Sequence, residues 1–310
     1  MGGNVKKMRV PAYMLAGILW LLLLVSGCGN LPFSSDHATA PVDDSDSALR
    51  ISVLNVGQAD ASLIQYKGKN MLIDTGDVDS REGLVSQLKK KNIKTLDIII
   101  ITHPHGDHMG GMAALFKNFT IRQIYDNGQA ANTAMYRNYL KNIKSKNIPY
   151  KALKKGDAIT FAGDIHFNIL SPGVPFTKEN TSGVSESGLT NNNSIVCRMT
   201  YQKISVMFTG DAQKEAEQQV LRDYQGTALQ SDILKVGHHG SKTSSSPAFI
   251  KAVKPRAAVI SCGANNQYKF PHKPTLDTLK KNHAEVYRTD QDGMILIVSD
   301  GTHYSIAKEH

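Results

Sequence analysis

The sequence predicts an α/β domain at residues 49–310, with two sheets sandwiched between helices. Three observations carry this expectation. Short apolar runs bounded by turn residues alternate with helix-period segments along the whole stretch. They do so in two halves, each mixing strands and helices, with no repeat of fixed period. The composition, 41% hydrophobic and 20% charged, excludes disorder over the whole chain and leaves enough apolar surface for one large core.

The elements follow in order. Ile51–Asn55, Ala61–Gln65 and Asn70–Asp74 read as strands, the last two joined as a hairpin at Lys67-Gly68-Lys69. Residues 81–92 place Leu84, Val85 and Leu88 at helical spacing and end in three lysines. Asp97–Ile101 is a continuous apolar run, as in a strand buried on both faces. Met109–Phe116 and Asn132–Lys144 read as helices around a strand at Ile121–Tyr125. In the second half, Ala158–Phe161, Ile165–Ile169, Ser194–Thr200, Ile204–Phe208, Ile233–Val236 and Ala257–Ser261 read as strands. Helices are expected at Ala212–Asp223, Pro247–Val253 and Thr275–Asn282. Val286–Arg288, Met294–Val298 and His303–Ile306 close the chain as strands. Residues 172–193, rich in Ser, Gly and Asn, read as an exposed loop.

The N-terminus reads as an export signal. Lys6, Lys7 and Arg9 precede the apolar run Pro11–Val25, shorter than the roughly 20 residues a bilayer span takes. Val25-Ser26-Gly27-Cys28 then resembles a bacterial lipoprotein box, with Cys28 as the lipidated residue. The expected organisation is a signal peptide at 1–27, a flexible tether at 28–48 and the folded domain at 49–310, held outside the cytoplasm on a membrane. Net charge is +9, from 36 Lys and Arg against 27 Asp and Glu; loss of the three cations in residues 1–27 takes it to +6. That balance suits an anionic partner such as DNA, and equally a soluble basic surface. No protein partner is inferable. Cys197 and Cys262 lie in apolar runs and read as small buried hydrophobes, so three cysteines make no disulfide scaffold.

The chemistry concentrates after the Asp97–Ile101 strand, in His103-Pro104-His105-Gly106-Asp107-His108. Three imidazoles and a carboxylate in six positions are a ligand set for Zn²⁺ and its neighbours. His103 and His105, two apart in extended backbone, can face one side, and Asp107 and His108 can serve a second ion.

This HxHxDH stretch resembles the signature of the metallo-β-lactamase superfamily. Asp74-Thr75-Gly76 resembles its early aspartate motif, and Phe208-Thr209-Gly210-Asp211 its bridging-aspartate motif. The stretches Leu54–Ala61, Asn193–Val196, Lys235–Ser241 and Phe270–Pro274 resemble the extracellular domain of the ComEC competence proteins and related secreted hydrolases, phosphorylcholine esterases among their wider neighbours. The resemblance implies a four-layer αββα sandwich and two divalent metal ions, Zn²⁺ in the first place and Mn²⁺ as the harder alternative. It implies His103, His105, Asp107, His108, Asp211 and His239 as ligands, with Asp74 behind them. Asp107 would orient an attacking water; His238 or His272 would protonate a leaving group.

One departure stands out. The superfamily's further histidine before the bridging aspartate is missing: only His166 lies in that interval, inside an alternating strand. Either the first metal has fewer protein ligands or Asn193 fills in. Adjacent side chains diverge, so one of His238 and His239 is expected to reach a given ion, His239 being preferred as ligand. Ser241 and Lys242 are expected to meet substrate, and Ser244-Ser245-Ser246 either binds a phosphate at a helix start or simply caps the helix. His272 either closes over the site or is a loop histidine. The expected activity is metal-dependent hydrolysis of a phosphodiester, DNA first. The alternatives are a small phosphorylcholine-type ester, or DNA binding by a lipoprotein with a weak site. Lysines at 89–91 and 94, and at 141–155, could track a phosphate backbone or merely face solvent.

Overall fold

The computed structural model describes residues 1–2, 34–35 and 48–310. The expected signal segment, Cys28 and most of the tether lie outside the described residues. The chain divides into units Met1–Leu31 and Pro32–His310, and the second carries all the secondary structure that follows. Among the described residues, no helix is long and apolar enough to cross a membrane.

A nine-stranded sheet runs, in spatial order, Ser34–Ser35, Tyr304–Lys308, Ile295–Ser299, Leu49–Val53, Ser62–Tyr66, Lys69–Ile73, Ile98–Ile101, Ile124–Asp126 and Tyr150–Ala152. A seven-stranded sheet runs Ala158–Phe161, Ile165–Ser171, Val196–Tyr201, Ile204–Phe208, Ile233–Lys235, Ala257–Ile260 and Glu285–Arg288. Both are mixed. The hairpin and meander strands pair antiparallel, and the strands joined through helices pair parallel, because a parallel connection needs a long crossover.

Alternation along the strands builds three apolar layers. Ile64, Met71, Ile73 and Ile100 of the first sheet meet Phe167, Cys197, Met199, Val206 and Phe208 of the second. Their neighbours Leu63, Leu72, Ile99 and Ile101 point the other way, onto Leu84 and Leu88 of helix Arg81–Lys90 and Leu115 and Phe116 of helix Met112–Asn118. On the far side, Met207, Leu234, Ala258 and Ile260 pack on helices Lys214–Asp223, Pro247–Val253 and Lys273–Lys281. Helices, two sheets and helices make four layers, and the isoleucine run at 98–101 feeds two of the cores, as a strand buried on both faces does.

Two expectations change. Residues 172–193 are not an open loop throughout: Glu186–Asn192 is a helix with Leu189, Asn191 and Asn192 buried. Polar contacts, not apolar periodicity, hold it. Ser185 accepts from Gly188 N, and the Asn192 amide accepts from Gln213 N and donates to Glu215. The helix expected at 109–116 is two short ones, Gly106–Met109 and Met112–Asn118, divided at Gly110-Gly111. A Cβ on Gly111 would lie 2.1 Å from the Thr75 carbonyl oxygen, so the close approach demands glycine.

The site-bearing segments all leave the C-terminal ends of parallel strands. Asp74 follows Lys69–Ile73, Thr102 and His103 follow Ile98–Ile101, Asp211 lies three residues past Phe208, and His238 three past Lys235. The registers Ile73↔Ile100 and Phe208↔Lys235 bring these ends level within each sheet.

Phe167→Ala, which empties a fully buried position between the sheets, is expected to cost about 3–5 kcal/mol in urea unfolding. His166→Ala, one residue earlier on the exposed face, is expected to change stability by about 0.5 kcal/mol or less.

Candidate metal centre

Asp211 is two per cent exposed, and its two oxygens face different histidines. Oδ1 lies 3.2 Å from His108 Nε2 and 3.8 Å from His239 Nε2. Oδ2 lies 3.7 Å from His238 Nε2 and 4.0 Å from His103 Nε2. On the Oδ1 side, Asp107 Oδ2 stands 3.2 Å from His239 Nε2 and 3.8 Å from His108 Nε2. On the Oδ2 side, His105 Nδ1 stands 3.0 Å from His103 Nε2. One donor group is therefore Asp107, His108, His239 and Asp211, whose ligand atoms lie within 4.8 Å of one another. On the other side His103, beside His105, and separately His238 face Asp211 Oδ2.

The imidazoles are aimed from behind. Asp74 accepts from the Thr102 backbone N–H and hydroxyl at 2.8 Å and contacts His108 Nδ1 at 2.8 Å, leaving Nε2 forward. His103 Nδ1 contacts the Ser194 hydroxyl at 3.2 Å, and that hydroxyl also accepts from Asp211 N–H. His239 Nδ1 donates to the Ser261 carbonyl at 2.9 Å, and His238 Nδ1 contacts Thr243 Oγ1 at 3.1 Å.

Metal ions fit this donor set. His108 Nε2 and Asp211 Oδ1 are buried 3.2 Å apart, and neither makes a well-directed hydrogen bond, which is costly unless something else satisfies them. Charge points the same way. Burial lowers the pKa of His239, but Asp211 and Asp107 overcome it and raise it to about 8. His108 obeys the same balance and is held well above the imidazole range. Burial would raise the Asp211 pKa, yet His108, His239 and His238 hold it well below the carboxylate range. His103, His105 and His238 are instead lowered, chiefly by burial, and so are neutral. The carboxylate side thus draws in positive charge, while the other side presents neutral nitrogen donors.

His238 and His239 both have positive φ, 50° and 52°, inside the turn Gly237–Gly240. Non-glycine residues seldom adopt this conformation, and it costs of order 1–3 kcal/mol each. The tight turn lets neighbouring side chains approach the same carboxylate, one on each oxygen. It brings His238 to within 3.7 Å of Asp211 Oδ2. Asn193 does not fill that place. Its amide is spent on Phe176, accepting from its N–H at 2.8 Å and donating to its carbonyl at 3.0 Å. Asn191, two residues earlier on a helix that was not expected, lines the cavity instead.

A cavity of 280 Å³ opens over the centre, lined by Gln58, His105, Asp107, Asn191, His238, Tyr268 and Phe270 among others; no Lys or Arg lines it among the described residues. Ser241, Lys242 and His272 are not brought to it. The Ser241 hydroxyl pairs with Thr243 at 2.9 Å, Lys242 is exposed and its N–H donates to His272 Nδ1, and His272 starts helix Lys273–Lys281. Phosphate binding at Ser244–Ser246 is also overturned. The buried carboxylate of Glu217 accepts from the N–H groups of Ser245 and Ser246, and Ser246 caps the helix. Glu217 reads in sequence as one more surface charge of an amphipathic helix, with no local signal of this role. The lysines sit apart: Lys89, Lys90 and Lys117 line a different groove with Arg81, and Lys154 and Lys155 line another with Arg222. Cys197 and Cys262 are free and buried, with thiols pushed up to about 12, first by burial.

The fold and centre are those of a metal-dependent hydrolase. Residues 54–264 match the metallo-beta-lactamase superfamily, and the chain belongs to it. Over 263 residues it is 30% identical to ComE operon protein 3 of Bacillus subtilis, covering 79% of this chain and 32% of that protein. Over 253 residues it is 32% identical to Recombination protein 2 of Haemophilus influenzae, covering 80% and 28%. The chain thus spans about a third of these relatives' length. Among solved structures, the metallo-beta-lactamase fold protein YhfI of Bacillus subtilis superimposes with a TM-score of 0.51 at 13% identity, covering 82% of this chain and all of that one. That likeness concerns the fold.

Two outcomes are expected in chelator-competition titrations. Asp74→Asn, which disturbs the aim of His108, weakens metal affinity about 10- to 100-fold. Affinity of the unaltered protein rises with pH through about 8, because below that value a proton on His239 competes with the cation.

Proposed function

We propose that this chain is an extracytoplasmic, metal-dependent phosphodiesterase acting on nucleic acid, tethered to a membrane by lipid on Cys28. The observation that carries the catalytic reading is the division of His103, His105 and His238 from Asp107, His108 and His239 across the one Asp211 carboxylate, beneath an open cavity. The nucleic-acid reading is supported by relatives named for competence and recombination and by a net charge of +9 that stays positive, at +6, without residues 1–27.

These residues would hold two divalent cations, Zn²⁺ or Mn²⁺; bound there, the cations act as Lewis acids and bring the pKa of water toward neutral. The chain's own groups do the rest. Asp107, whose side chain is 31% exposed, is the carboxylate placed to orient a water entering the cavity. His238, lowered by burial, is neutral near pH 7 and suits a ligand better than a general acid. His272 stands behind Phe270, rings 5.0 Å apart, and does not line the cavity. Phe270 packs on both histidines of the turn, keeping water from that side.

A second reading, hydrolysis of a small phosphorylcholine-type ester, is favoured by the absence of Lys and Arg from the cavity lining. The test is an assay of the full-length protein, loaded with Zn²⁺ or Mn²⁺, on linear and circular DNA and on a phosphodiester reporter. Loss of DNA is expected, falling at least about a hundredfold in Asp211→Ala and Asp107→Ala and disappearing with chelator. Reporter turnover without DNA loss would move the assignment to the small ester. Absence of turnover by metal-loaded protein on every substrate would sink it and leave a binding protein.

A further inference from the structure

Tyr268 stands at the mouth of the cavity with 54% of its surface exposed, on a chain where most large hydrophobics are buried. Its ring lies on Phe270, centroids 5.3 Å apart and planes within 20°. Phe270 in turn lies near-parallel to His239, at 6.3 Å and 21°. Three flat rings therefore step outward from the metal centre to solvent. The loop that presents them is clamped. Asn266 donates to the carbonyls of Gly263 and Phe270 at 2.9 and 2.7 Å and accepts from Phe270 N–H at 2.9 Å. Such a platform loses little freedom when something docks on it.

The geometry also says what docks. Two rings stacked on each other expose one open face, not the several angled faces that enclose a quaternary ammonium. Among the described residues no Lys or Arg lines the cavity, so no cationic side chain there is placed to take further phosphates beside the one at the metal centre. The complementary neighbour of the reacting phosphate is flat, neutral and aromatic. In a duplex the faces of the bases are covered by their neighbours, whereas an unpaired base can stack on an aromatic side chain.

We infer that Tyr268 is a base-stacking residue and that the substrate is a phosphodiester flanked by an unpaired nucleobase, as in single-stranded nucleic acid or a frayed end. This rests on the phosphodiesterase reading above and narrows it.

The test uses the full-length, metal-loaded protein with three probes: a single-stranded oligothymidylate, the matching abasic oligomer and a blunt duplex. Both turnover and binding by fluorescence anisotropy are read. The oligothymidylate is expected to be preferred over the other two by roughly tenfold or more. Tyr268→Ala erases that preference, mainly through KM and binding, and Tyr268→Phe retains it. Equal use of base-bearing and abasic strands by the unaltered protein overturns the inference while leaving the phosphodiesterase standing. So does a preference for the oligothymidylate that Tyr268→Ala leaves intact. Base-selective binding through Tyr268 without turnover keeps the stacking role and sinks the phosphodiesterase; neither binding nor turnover sinks both.

Discussion

A carboxylate buried to two per cent exposure keeps its charge only if positive or hydrogen-bonding groups surround it, and Asp211 sits among four imidazoles. That single group organises the centre: each oxygen looks at a different pair of histidines. The backbone that delivers it leaves no latitude. Gly210 has φ +48°, and a Cβ there would lie 2.9 Å from Thr102, the residue that also anchors Asp74. The Asp211 carboxylate, the histidine loop and its supporting aspartate are thus packed as one block.

The two halves of the domain are tied at the same place. Lys235, from the second sheet, reaches Asp60 of the first half at 2.7 Å, both side chains five per cent exposed. Asp60 N–H donates to the Asp107 carbonyl and its carbonyl accepts from Gly76 N–H. A buried ion pair is a weak source of net stability, but losing one partner is expensive. Its position couples the strand leading to His238 and His239 with the loop carrying Asp107. The strained turn at those histidines persists because Ser261, Thr243 and Gly210 all hold it by hydrogen bonds.

Among the described residues the cavity over the centre is lined by aromatic, polar and acidic side chains and by no Lys or Arg, while Lys89, Lys90, Lys117, Lys154 and Lys155 line other grooves. Net charge can draw an anionic polymer toward the molecule, whereas the side chains lining the cavity meet whatever comes close to the histidines. These are different jobs on different surfaces, and a count of basic residues speaks only to the first.

The layers were legible because strand alternation and helical spacing are local. Phe167 and His166 already point oppositely by position alone, and the isoleucines of 98–101 announce burial on two sides. The cluster of donors in HxHxDH was legible because four donors within six residues are close whatever the fold. What needed tertiary structure was each role set by a distant partner. Asn191 rather than Asn193 lines the cavity because helix Glu186–Asn192 is held by Gln213 and Glu215. Glu217 takes the N–H groups that seemed free for phosphate, and His272 faces Lys242. His238 reaches Asp211 only because two consecutive residues accept left-handed backbone. The sequence by itself determined the class of centre, since ligand chemistry and short spacing need no fold. The tertiary structure decided the assignment of individual side chains, since direction depends on backbone conformation and partners that lie tens of residues away.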